Sequence, residues 1–237
     1  MKILAIDSSS RVRSVALCER GTDECGPVRV LAELSSPSER GGRFASLITD
    51  VLQKAGLERK AVDKIAIGVG PGSAAGIRST LSFAIGWQIA NGLTTCGVSS
   101  AWAVAAEAQS EGMTGGVSVI LKGPIGRFIH ASFSIEGSGI REASPLRMAS
   151  IGDVESLALL SDRLIGPDVD TIFPSIRDGL GQGEARRERV TIFPTAKAVG
   201  SLVLNHTVPA ICPLEPLVLS NPTFVKAPAP RVIPDVS

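Results

Sequence analysis

The segment 64–92, KIAIGVGPGSAAGIRSTLSFAIGWQIANG, limits what this chain can fold into more than any other stretch. KIAIGV reads as a buried strand, Gly70-Pro-Gly72 as a tight turn, and 74–91 as a helix. A strand feeding a helix through a glycine-rich turn needs a sheet beside it and a layer above it, which is α/β construction. Yet the helix carries one charge, Arg78, and no face suited to water. Around the helical wheel Ile77, Leu81, Ala84, Ile85 and Gln88 share one side, with Ile89 at its margin. Phe83 and Trp87 share another, and Ser79, Ser82, Gly86 and Ala90 form a stripe of small residues between them. Such a helix is either internal to its own domain or packed on a second protein. The helix expected at 43–56 keeps an ordinary charged side (Arg43, Asp50, Lys54), which leaves little else to cover both faces of 74–91. The residues therefore favour a partner.

The flanking sequence supplies a sheet. Residues 2–7 and 14–19 read as a hairpin around the polar turn SSSRVR, and 28–34 as a third strand. Phe44, Leu47, Ile48, Val51, Leu52 and Ala55 recur at helical spacing over 43–56, ending on Gly56, and a short strand follows at 93–98. A second unit begins near Ser99 with the helix AWAVAAEAQ and the strand GVSVIL. In RFIHASFSI, Ile129, Ala131, Phe133 and Ile135 share one face. His130 lies on the other, more polar face with Phe128, Ser132 and Ser134, as a surface or hydrogen-bonded histidine. Helices are expected at 150–160 and 195–205 with weakly patterned sequence between them. The tail APAPRVIPDV reads as extended or disordered. No repeat recurs at a fixed period.

Composition removes several classes of function. Lys and Arg number 24 against 23 Asp and Glu, so no overall basic field drives autonomous nucleic-acid binding. Cys18, Cys25, Cys96 and Cys212 are scattered without a C-x-x-C, as expected of reduced cytoplasmic thiols rather than a disulfide framework. The two histidines, His130 and His206, lie far apart, and no Cys/His cluster has metal-ligand spacing. The opening MKILAIDSSS meets Asp7 too soon for a signal peptide, and 74–91 contains Arg78, Gln88 and several serines, so no membrane span is expected.

The glycine turn fits the loose pattern G-x-G-x-x-A, but the acidic residue a dinucleotide site needs is missing: no Asp or Glu occurs between Asp63 and Glu107. Ile-Arg after Gly76 excludes a P-loop, and Pro71 and Ala75 flank Ser73 where a nucleophile elbow needs glycines. Two readings remain. Gly70 and Gly72 let the helix pack close to the sheet, or the helix N-terminus binds an anion. In the hairpin, Asp7 is followed by Ser8 and Ser9. The plain reading is a turn-capping Asp. The alternative is the arrangement of actin-like, sugar-kinase-like and Hsp70-like ATPases, where such a turn wraps phosphate and the Asp meets the metal's water shell.

MKILAIDSSSRVRSVAL, GVGPGSAAGIRSTLSFAIGWQIANG, GVSSAWAVAAEA and LEPLVLSNP closely resemble, in order and spacing, the TsaB (YeaZ) family. The likeness is strong over 1–108, weak through the middle, and returns at about 190–222. It implies an actin-like (ASKHA, ribonuclease H-like) two-lobed α/β fold. It also implies a part in making N6-threonylcarbamoyladenosine beside the anticodon of tRNAs that read ANN codons. In that family TsaB partners TsaD, the catalytic paralogue, and the ATPase TsaE completes the bacterial complex. The paralogue's metal-binding His-x-x-x-His is absent here, with Arg40 and Phe44 near that point. The family's D-A-R-x-G-E-V-Y is replaced by Lys122-Gly-Pro-Ile-Gly126-Arg-Phe-Ile129, and its C-terminal aromatic by Val218, followed by Leu219 and Ser220.

The resulting expectation is a non-catalytic, scaffold-like cytoplasmic subunit. Lobe I spans 1–98 and is completed by 211–222, lobe II spans 99–210, and 223–237 forms the tail. Asp7, Ser8, Ser9, Gly70 and Gly72 are a vestigial nucleotide site. Leu47, Val51, Ser79, Ser82, Phe83, Gly86, Trp87 and Ala90 form the partner surface. No catalytic residue, metal or cofactor is assigned to this chain, with ATP and a metal ion expected on partner subunits. Partners are a TsaD-like paralogue, a TsaE-like ATPase and tRNA through the complex, with a homodimer as a further option. The runner-up is an ASKHA-type ATPase or kinase using Asp7, the glycine turn and Asp168 or Asp170.

Overall fold

A computed structural model describes residues 1–21, 26–37, 44–123, 126–160, 163–172, 188–208, 210–217 and 219. Cys25, Arg40, Arg43, Val218, Ser220 and the tail expected at 223–237 lie outside them.

The first sheet is built from β1 (Lys2–Asp7), β2 (Val12–Glu19), β3 (Arg29–Pro37), β4 (Lys64–Gly68) and β5 (Thr94–Val98) in the order β3-β2-β1-β4-β5. β1, β2 and β3 pair antiparallel, and β4 and β5 add parallel to β1. Alternation along β1 explains why both faces are covered. Leu4 and Ile6 enter one core with α1 (Phe44–Lys54) and α2 (Ala74–Asn91), while Ile3 and Ala5 enter a second core on the opposite face.

The second sheet consists of β6 (Gly115–Lys122), β7 (Phe128–Glu136), β8 (Gly139–Ala149), β9 (Arg163–Gly166) and β10 (Glu188–Thr191), ordered β10-β9-β6-β7-β8. Its pairing repeats that of the first: three antiparallel strands, then two parallel to the central one. The chain thus folds one topology twice, without any fixed sequence period to announce it. α4 (Ile151–Leu160) and α5 (Val169–Ile172) lie on the outer side of this sheet.

The two remaining helices cross over. α3 (Ser100–Ser110) leaves the first sheet and packs on β6, β7 and β8, whereas α6 (Ala196–Leu204) leaves the second and packs on β1, β2 and β4. They meet between the sheets, where Lys197 of α6 pairs with the buried Glu107 of α3 at 2.7 Å and Thr195 donates to the same carboxylate at 2.5 Å. α6 therefore belongs with the first sheet rather than with lobe II, correcting the boundary drawn at 210. Residues beyond it also return to the first sheet: Ile211 bridges Gly97, and Leu217 N–H donates to Val69 O at 2.9 Å.

β8 was not visible in the sequence. It is an edge strand, most of its side chains reach solvent, and the exposed run Arg141-Glu142-Ala143 interrupts its alternation. Among the described residues no helix is long and apolar enough to cross a membrane.

Candidate functional site

Asp7 ends β1 and has no exposed surface. Its Oδ1 accepts from Ser9 N–H at 2.9 Å and from Ser9 Oγ–H at 2.8 Å, so the carboxylate caps the turn that follows. Oδ2 has no hydrogen-bond partner and lies against Gly68, where a Cβ would come within 1.9 Å. Burial pushes this carboxyl up to about 7, against the two Ser9 hydrogen bonds that lower it. Ser8 Oγ and Ser100 Oγ are likewise buried without partners.

The glycine turn meets this hairpin turn backbone to backbone. Ser73 N–H donates to Ser9 O at 2.7 Å, and a Cβ on Gly72 would come within 2.1 Å of the same oxygen. Gly70 has φ +95°, a conformation that favours glycine. Its carbonyl accepts from Ser100 N–H at 2.7 Å, which ties the turn to α3. Ser73 Oγ caps α2 by accepting from Gly76 N–H at 3.3 Å. Of the two sequence readings of these glycines, close packing is directly visible.

The turns face a cleft of about 240 Å³ between the lobes. Ser9, Ser10, Arg11, Pro71, Gly72 and Ser73 line it from the first sheet; Leu121, Lys122, Gly123, Pro167 and Asp168 line it from the second. The repeated topology puts these in matched pairs. The β1–β2 turn faces the β6–β7 turn, and Gly70-Pro71-Gly72 faces Gly166-Pro167-Asp168. Lys122 therefore ends β6 as Asp7 ends β1, but with the opposite charge. Arg11 stacks its guanidinium 4.9 Å above the Phe193 ring. Asp168 faces the cleft, whereas Asp170 is exposed and accepts from the Thr191 hydroxyl. Arg11, Pro167 and Phe193 went unnoticed in the sequence. The one available signal was the echo of VGPG in IGPD.

The residues proposed for a partner surface divide. Leu47, Val51 and Trp87 are buried in the core between α1, α2 and the first sheet, so they are internal rather than interfacial. Phe83 is half-buried and meets Trp87 edge-to-face at 5.0 Å. Ser79, Ser82, Gly86 and Ala90 are exposed. Ile85, expected on the Ile77 and Leu81 side, is instead 42% exposed, and Ile89 is 81% exposed. The buried stripe of α2 is Gly76, Ile77, Thr80, Leu81, Ala84 and Trp87, because the large indole turns inward and rotates Ile85 out.

His130 is buried, not on the surface. Its Nε2 lies 3.1 Å from Ser132 Oγ and 3.3 Å from Ser118 Oγ, and burial, reinforced by Arg147, pushes it down to about 4. Among the described residues no three Asp, Glu, His or Cys side chains are grouped to hold a metal ion. Cys18 and Cys96 are buried free thiols, and Cys212 is exposed.

Residues 41–170, more than half of the chain, match the family model "TsaD: tRNA N6-adenosine threonylcarbamoyltransferase". The tRNA threonylcarbamoyladenosine biosynthesis protein TsaB of Escherichia coli K12 is 30% identical over 140 residues. The chain belongs to the TsaD family. The match to the E. coli TsaB spans 59% of this chain and 58% of that protein's length. Two solved Pseudomonas aeruginosa structures share its fold. One, described as an uncharacterized protein similar to peptidase YeaZ, has a TM-score of 0.73 at 20% identity, over 92% of this chain and 99% of its own. The other, YeaZ, has a TM-score of 0.67 at 21% identity, over 85% and 89%. The architecture is the actin-like ASKHA fold expected of TsaB/YeaZ proteins, with both lobes built on the ribonuclease H-like strand order.

Proposed function

We propose that this chain is the non-catalytic, cytoplasmic partner of a TsaD-like subunit that transfers threonylcarbamoyl from its adenylate to N6 of adenosine 37 in tRNAs reading ANN codons. The observation that carries this reading is the outer face of α2. An eighteen-residue helix presents Ile85, Ile89 and the small residues Ser79, Ser82, Gly86 and Ala90 to solvent, with Arg78 as its one charge. Isolated exposed apolar residues are ordinary, but a long exposed helix face with a single charge is what a second protein covers. The stripe of small residues lets another helix backbone come near, and the two isoleucines supply apolar area beside it.

The cleft supports the same division of labour. A metal–nucleotide needs carboxylates that reach the metal's waters from both lobes. Here Asp7 is sealed behind Gly68, and Lys122 stands in the matched position of the second lobe. The residues present do not fit a metal–nucleotide, and ATP and its metal are assigned to the partner subunits, a TsaE-like ATPase among them.

One observation favours the alternative, an ASKHA-type ATPase or kinase: Asp168 lines the cleft opposite Ser9 and Gly72. Reconstitution separates the two. Threonylcarbamoyladenosine should form on tRNA when this chain, a TsaD-like subunit and a TsaE-like ATPase are combined, and should fall to background when this chain alone is left out. The isolated chain should bind magnesium-ATP no tighter than about high micromolar, on the order of −6 kcal/mol. Tight binding with turnover by the isolated chain would establish the alternative.

A further inference from the structure

Cys96 lies in β5, at the edge of the first sheet, and Cys212 lies in the return segment that runs beside it. Gly97 and Ile211 form an antiparallel bridge and exchange both backbone hydrogen bonds, at 3.0 and 2.9 Å. In antiparallel pairing the next residues out form a non-hydrogen-bonded pair, with Cα atoms about 4.5 Å apart. Those residues are Cys96 and Cys212. A disulfide spans Cα separations of about 4.4–6.8 Å, so two cysteines flanking this bridge in antiparallel register would lie within bridging reach.

Their contacts agree with this. Cys212 Sγ–H donates to the carbonyl of Thr95, the residue peptide-bonded to Cys96, at 3.3 Å. Cys96 Sγ–H donates to Ile65 O at 3.8 Å, on the neighbouring strand. Cys212 is exposed and Cys96 has no exposed surface, so a dissolved oxidant meets Cys212 first.

We propose that Cys96 and Cys212 are a redox pair, in which oxidation of the exposed Cys212 leads to an intrachain disulfide that pins the return segment to β5. With hydrogen peroxide as oxidant, Cys212 sulfur takes one oxygen to become a sulfenic acid and one water is released. The Cys96 sulfur then attacks the Cys212 sulfur and the S–O bond breaks. A second water leaves carrying the Cys96 proton, so two thiols and one peroxide give one disulfide and two waters. Burial holds the Cys96 thiol at about 11, only partly offset by Lys64, so this second step is slow.

The bond would act on the structure around the glycine turn. Leu217 N–H donates to Val69 O, immediately before Gly70, and Ile211, Leu214 and Leu217 pack against the core beneath α2. Oxidation therefore stiffens the support of both the turn and the helix.

The test uses the full reduced chain, treated with hydrogen peroxide, alkylated and digested without reductant for mass spectrometry. A linked peptide containing Cys96 and Cys212, released by dithiothreitol, is expected. The oxidised chain should show about tenfold slower amide exchange at Ile211 and Leu217. Cys212→Ser, at an exposed position, should fold and lose the linked peptide, while Cys25→Ser should keep it. Cys212 recovered as sulfinic acid with Cys96 still alkylatable, or Cys212 linked to Cys25 or to a second chain, overturns the proposal.

Discussion

The carbonyl oxygen of Ser8 occupies the place where a side chain on Gly76 would begin: a Cβ at position 76 would come within 1.8 Å of it. Helix α2 is thereby seated directly on the backbone of the Asp7–Ser10 turn. Gly86, nearly three turns on, has nothing within 4 Å of the same atom.

The two glycines should respond oppositely to one methyl group. Gly76→Ala forces backbone apart in a packed region and should lower stability by about 1–3 kcal/mol. Gly86→Ala meets open space in a helix interior and should raise stability by up to about 1 kcal/mol. Urea unfolding of both variants beside the parent chain gives the comparison. Equal effects at the two sites would contradict the seating of α2.

Asp7 should make the fold less stable as pH rises. Its folded value of about 7 lies above the ordinary 3.8. Below pH 3.8 the group is neutral in both states and its contribution is fully present. Between 3.8 and 7 the unfolded chain releases the proton while the folded chain retains it, and stability falls by a few kcal/mol at most. Asp7→Asn keeps a neutral group with an oxygen to accept from Ser9, so it should gain stability relative to the parent across that window. The same variant should leave threonylcarbamoyladenosine formation by the reconstituted complex within several-fold. A loss of several orders of magnitude with the complex assembled would make Asp7 a participant in the chemistry.

His130 should act with the opposite slope. Its folded value of about 4 lies below the ordinary 6.5, so between these limits the unfolded chain takes up a proton that the folded chain refuses. Stability contributed by the neutral ring is complete above 6.5 and is lost as pH falls towards 4. His130→Gln should flatten the acid limb of a stability–pH curve measured by thermal unfolding. An unchanged acid limb would mean that the ring already protonates in place.

Much of this architecture was legible in the sequence because the first lobe obeys local rules. The hairpin, α1, the strand–turn–helix block and β5 follow from alternation, helical spacing and glycine placement, and α2 was expected at 74–91 as found. The site was harder to read. That Asp7 is sealed depends on Gly68, sixty-one residues away, and no local pattern reports a carboxylate pressed on a distant glycine. Which side of α2 faces inward was decided by Trp87, whose burial area outweighs the aliphatic periodicity that had put Ile85 inside. The exchange of α3 and α6 between lobes was invisible for the same reason, since either helix is apolar enough for both sheets. The second lobe's edge strand β8 is half solvated and carries little periodic signal.

The outer face of α2 is the surface proposed to bind the catalytic paralogue. Ile89→Asp and Gly86→Glu alter only exposed positions, so both variants should keep the parent's circular dichroism and stay folded, with Gly86→Glu no less stable than the parent in urea. A charge buried at the centre of an interface should cost about 2 kcal/mol or more, which is a roughly thirtyfold loss of affinity. The direct measurement is sedimentation velocity of each folded variant mixed with a TsaD-like subunit. Both should remain largely uncomplexed at concentrations where the parent chain forms a one-to-one complex. Complex formation by both variants at the parent's affinity would contradict that proposal.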